Sequence, residues 1–153
     1  MSWMLRENVE DAIAAYLRTL LPGDMRVYVA RDIDPLQYPN AQVIYRSGEN
    51  VDGSGLINGR RRMQIGINVE SEAVPAMENG QTQVTSRRVH AICCEPVFSA
   101  LARNDLHDAL NDIGQQGVLF SMANIEGDAF AIIDRVFVTS FILDVIAQPC
   151  AIE

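Results

Sequence analysis

The stretch RMQIGINVE (62–70) alternates strictly. Met63, Ile65, Ile67 and Val69 fall on one side, and Arg62, Gln64, Asn68 and Glu70 on the other. Successive side chains of a strand point to opposite faces, so this pattern fits a β-strand with one face on a core and the other on water or a polar partner. A helix would spread the same residues around its circumference. The chain must therefore build a sheet with one covered face. Gly66 lies on the polar side of this strand, where it predicts the close approach of another backbone.

The segments around that strand complete the plan. Residues 3–21 predict a helix, because Leu5, Val9, Ala12, Ile13, Tyr16, Leu17 and Leu20 recur at three- and four-residue spacing and Pro22-Gly23 stops them. Residues 25–32 and 41–48 are rich in β-branched and aromatic residues and predict strands, joined by the proline-containing loop DIDPLQYPN. Residues 49–59 hold three glycines with Asn and Asp and predict a loop tip. After a connection at 73–84, Thr85 or Ser86 is suited to cap a second helix. Its apolar stripe would be Val89, Ile92, Cys93, Val97, Ala100 and Leu101, with Pro96 kinking it or opening a new helix. Residues 105–114 predict a short helical extension from Asp105 to Gly114. Residues 118–126 and 134–147 predict strands around a turn at Gly127-Asp128, the second placed centrally because it is apolar on nearly both faces. The resulting expectation is an α+β fold in the order α-β-β-β-α-β-β. Helices pack on one face of a largely antiparallel sheet of four to five strands.

At 153 residues the chain has room for one domain, since domains cluster at about 100–150 residues. Hydrophobic residues at 48% and charged residues at 21% exclude a disordered chain. Three cysteines exclude a disulfide scaffold. The net charge is −8 and every basic residue is arginine, so nucleic-acid binding is a poor fit as the main task. No stretch reaches the roughly 18 consecutive apolar residues that span a bilayer, so no membrane association is expected. The N-terminal segment is amphipathic rather than secretory, and with Cys93 and Cys94 adjacent this predicts a reducing intracellular setting.

Chemistry has little to hold on to. His90 and His107 lack the spacing of a metal site, and both are expected as surface or half-buried helix residues. Cys93 and Cys94 diverge by about 100° on a helix, and Cys93 is expected in the core. The glycine-rich 49–59 segment leads into a strand, so no helix N-terminus waits there for a phosphate. These observations predict no catalytic residue, no metal and no cofactor. The charge feature that stands out is Arg60-Arg61-Arg62. It reads either as a docking site for acidic surfaces or as a solvated strand entrance.

The whole-chain layout resembles the tail-terminator (tail-completion) proteins of long-tailed bacteriophages. The resemblance rests on the amphipathic N-terminal helix followed by VYVARD, then YPNAQVIYRSG, a long polar loop and RRRMQIGINVESEA. It continues through SRRVHAICCEPVFSAL to FVTSFILDVIAQP. It implies a homohexameric ring at the neck of a virion, assembled in the host cytoplasm. Such a ring caps the tail tube, stops its polymerisation and offers a surface to the head–tail connector, while DNA passes through without sequence-specific binding. Glu49, Asp52, Arg60, Arg61, Arg62, Gln64, Asn68 and Glu70 are the candidate interface residues. The alternatives are another neck, connector or tube component, and a small ligand-binding or enzymatic α+β domain, which would need a pocket with converging polar groups.

Overall fold

The computed structural model describes residues 2–23, 25–29, 37–51, 59–72, 81–113 and 117–149. The elements are α1 (Ser2–Leu20), β1 (Arg26–Val29), β2 (Asn40–Asn50), β3 (Arg61–Glu72), α2 (Gln81–Leu101), α3 (Leu106–Ile113), β4 (Val118–Ile133) and β5 (Val136–Pro149). Five strands form one sheet in the order β1-β2-β3-β5-β4. This is the expected α+β fold, with the strand β5 inside the sheet as its apolar sequence predicts.

The alternating strand sets the core. Met63, Ile65, Ile67 and Val69 are all buried, facing the same way as Val43 of β2 and Phe141, Leu143 and Val145 of β5. Against this face α1 lays Leu5, Val9, Ala12, Ile13, Tyr16 and Leu17. Each such side chain contributes about 1.5–3 kcal/mol by leaving water. Leu20 departs from the predicted stripe. It is exposed at the helix end, and Leu21 is buried beyond it. The Tyr16 hydroxyl donates to the Ala100 carbonyl at 2.5 Å and ties α1 to α2. A bulge between Tyr45 and Ser47 breaks the β2–β3 ladder, and the buried Glu10 carboxylate accepts the Tyr45 amide there at 3.2 Å.

Several sequence expectations are corrected. The β1–β2 pair is parallel, so the sheet is mixed, whereas β2–β3, β3–β5 and β4–β5 are antiparallel. A parallel pair excludes a tight hairpin between the two strands. Helix α2 starts at Gln81, ahead of the capping residues Thr85 and Ser86, and runs through Pro96 without restarting. Ser and Thr favour helix starts but also occur within helices, so their presence alone does not fix where this one begins. Val89 and Ile92, assigned to its buried stripe, are exposed. The β4–β5 turn is at Asp134-Arg135, both with positive φ (49° and 66°), which is the conformation of a two-residue type I′ hairpin. Gly127 instead follows a bulge inside β4 and pairs with Ile142. Beside Gly66 stands a side chain, not a backbone: a Cβ there would lie 2.5 Å from Arg46 Nε. Residues 30–36, 52–58 and 73–80, with Gly114 and Cys150, lie outside the described residues.

Candidate functional site

The helices cover one face of the sheet and leave the other open. On the open face β2 presents Gln42 and Glu49, β3 presents Arg62, Gln64, Asn68 and Glu70, and β5 presents Ser140 and Asp144. Cross-strand contacts join them in rows. Arg62 grips Asp144, with Nε 2.9 and 3.0 Å from its two carboxylate oxygens and Nη2 2.5 Å from Oδ2. Glu126 lies 4.0 Å from Arg62 and 3.5 Å from Gln64, the long limit of a hydrogen bond. Ser140 donates to Asn68 at 2.6 Å, and Gln42 donates to Glu70 at 2.7 Å. Bonding to Asp144 holds the Arg62 guanidinium more firmly protonated than usual. Burial raises the Glu70 carboxyl above its ordinary range, against the opposing pull of Asn40 and Gln42.

These rows place most of the predicted interface residues. Arg62, Gln64, Asn68, Glu70 and Glu49 share the open face, and Glu49 pairs in register with Arg62. The arginine triplet does not act as a block, because strand geometry turns neighbouring side chains to opposite faces. Arg62 points to the open face, while Arg61 is half-buried on the other, its Nε without a hydrogen-bond partner. Arg60 precedes the strand, and its carbonyl accepts the Val51 amide at 3.0 Å, closing the base of the β2–β3 loop. Asp52 lies outside the described residues. A polar depression of about 390 Å³ is bordered by Glu49, Arg62, Gln64, Glu126 and Asp144. Sequence reasoning missed Asp144. A lone carboxylate in an apolar strand was the available signal, since such a group is rarely buried unless paired.

A second feature lies on the helix side. His90 is buried, contrary to the expectation of a surface or half-buried residue; His107 is half-buried in α3. Nδ1 of His90 meets Ser71 Oγ at 2.7 Å and Nε2 meets Thr139 Oγ1 at 2.8 Å, so one ring ties α2 to β3 and β5. Cys94 Sγ is 3.4 Å from the same Nε2. Beside this pair opens a cleft of about 500 Å³ walled by Phe98, Phe130 and Phe141, with Arg87 also on its lining. Burial lowers the His90 imidazole and raises the Cys94 thiol, so both are held neutral. That is the reverse of what a thiolate–imidazolium nucleophile requires. Cys93 is half-buried and packs against the core. Among the described residues no three His, Cys, Asp or Glu side chains converge as metal ligands, and no helix is long and apolar enough to cross a membrane.

The same architecture occurs in a virion. A chain of the virion of the native gene transfer agent (GTA) particle superposes with a TM-score of 0.51, covering 94% of this chain and 97% of that one at 12% identity. This likeness is one of fold. No protein-family model and no curated protein matches the sequence.

The remaining surface is unusually apolar in two places. Phe130, Ile132 and Ile133 near the β4–β5 turn are 48%, 53% and 57% exposed, and Val89 and Ile92 of α2 are 48% and 63% exposed. Phe130 is partly sheltered by Arg87 and His90 of α2, whereas Ile132, Ile133, Val89 and Ile92 stand exposed.

Proposed function

We propose that the protein is a structural component of a tailed, phage-like particle and acts as its tail terminator. The observation that supports a structural virion component is the fold likeness to a virion chain over 94% of this chain and 97% of that one, and the terminator role extends it from the whole-chain sequence layout. In this role copies close into a hexameric ring at the neck. One side of the ring seats on the last ring of the tail tube, and the other receives the head–tail connector. Because its two sides differ, the ring offers no repeat of the tube's growing end and elongation stops. The open sheet face with Glu49, Arg62, Gln64, Asn68 and Glu70 supplies a polar contact surface for neighbours or for the lumen. A net charge of −8 suits a passage that DNA must traverse without sticking. The protein works by shape and makes or breaks no covalent bond.

Native mass spectrometry of the purified protein, alone and with tail tubes, tests this directly. A closed hexamer that caps tube ends supports the reading. Open filaments would identify a tube protein instead, and a monomer indifferent to tubes would refute it.

A further inference from the structure

We infer that the outer half of the β4–β5 hairpin in one copy docks on the outer flank of α2 in the next copy. The inference rests on the ring reading above and adds which surfaces meet. Among the described residues strand β4 is an edge strand paired only with β5, and every residue from Glu126 to Ile133 is exposed. Natural sheets protect such edges with Pro, Lys, bulges or a covering element. Here the two bulges lie upstream, at Phe120/Met122 and Ile125/Gly127, and the run AFAII (129–133) carries no charge and no proline. An unprotected edge that also shows Ile132 on the helix side and Ile133 on the open side to water is a liability in a lone chain and an asset in an assembled one.

The second patch has the properties of its partner. Val89 and Ile92 lie on α2 away from the aromatic cleft, since Val89 is turned roughly 160° from Arg87, which lines that cleft. The chain thus carries two separate apolar patches on different elements. That is the requirement for a head-to-tail contact, which closes into a ring when the rotation closes, whereas a twofold contact needs only one patch. Charge agrees. The hairpin turn bears exposed Asp134, and the α2 flank bears exposed Arg88 between the cleft and Val89. The two charges are opposite, so Arg88 of one copy can face Asp134 of the next.

Two variants and their mixture test this. One carries Ile132→Asp with Ile133→Asp, and the other Val89→Asp with Ile92→Asp. All four positions are exposed, so both variants should melt like the parent by circular dichroism. Native mass spectrometry should show the parent as a closed oligomer and each variant alone as a monomer. Their equimolar mixture should give one-to-one heterodimers and nothing larger, because only one intact hairpin–flank pair remains. Variants that still form the parent oligomer, or a mixture that stays monomeric, would overturn the contact while leaving the ring reading intact. A parent that never self-associates would overturn the ring reading and the contact with it. Charge reversal gives an independent check that leaves the apolar residues in place. Arg88→Glu and Asp134→Arg should each weaken assembly by roughly tenfold, and the double variant should recover it; no recovery would count against the contact.

Discussion

The two halves of the β4–β5 hairpin are built from the same two strands, yet along β4 they meet opposite fates. In the half nearer the chain's core, Phe120, Ala123, Leu143, Val145 and Ala147 are buried, with α1 and α3 on that side of the sheet. In the half nearer the turn, β5 still buries Phe137 and Thr139 beneath His90 of α2, whereas Phe130, Ile132 and Ile133 of the edge strand β4 are exposed. Hydrophobicity is similar in both, so composition does not decide burial. Position across the sheet does, because α2 covers β3 and β5 in the turn half and leaves the edge strand β4 largely open. An apolar strand segment announces that something will cover it, without saying whether the cover comes from its own chain.

Truncation should separate the halves most sharply. Phe120→Ala removes a fully packed ring and should cost about 3–5 kcal/mol, read as a shift of the urea midpoint at constant slope. His90 stands at the border between the halves, touching Phe130 and Phe137. Its imidazole is held below the ordinary value, so the unfolded chain binds its proton first as pH falls. Stability should therefore decline below about pH 6.5, with a slope from this one group of at most about 1.4 kcal/mol per pH unit. His90→Gln should flatten that slope in urea titrations across the same range. At the turn, Arg135→Gly relieves a left-handed conformation that costs an L-residue about 1–2 kcal/mol and gives back part of this as chain entropy. A net gain of about 0.5–1 kcal/mol in thermal unfolding is expected. Smallest of all, Ile132→Ala should change the stability of the isolated chain by less than about 0.5 kcal/mol. A larger loss, measured on dilute monomer, would mean that the outer half packs on its own chain after all.

Much of the framework was legible in the sequence because period alone decides it. The 3.6-residue stripe of α1 and the two-residue alternation of β3 both appear where expected, and Arg62, Gln64, Asn68 and Glu70 share one face as that alternation requires. What period cannot encode is register and partnership. Asp144 and Ser140 meet Arg62 and Asn68 only because β5 lies antiparallel to β3 in one particular alignment. The turn at Asp134-Arg135 was hidden because neither residue is glycine, while Gly127-Asp128 mimics a turn and marks a bulge. Val89 and Ile92 fit a helical stripe, yet their side of α2 has no covering element in the described chain.

The tight connection at Asp134-Arg135 carries a consequence for how such a molecule can change over generations. A link this short has no slack, so a single inserted amino acid there would shift one strand by a rung and exchange its sides. Phe130 and Ile132 would pass to the side where Arg62 and Asp144 sit, and Ala129, Ala131 and Ile133 would pass to the helix side. Length variation should therefore be confined to other loops, with this bend tolerating exchange of residue types but no change in their number.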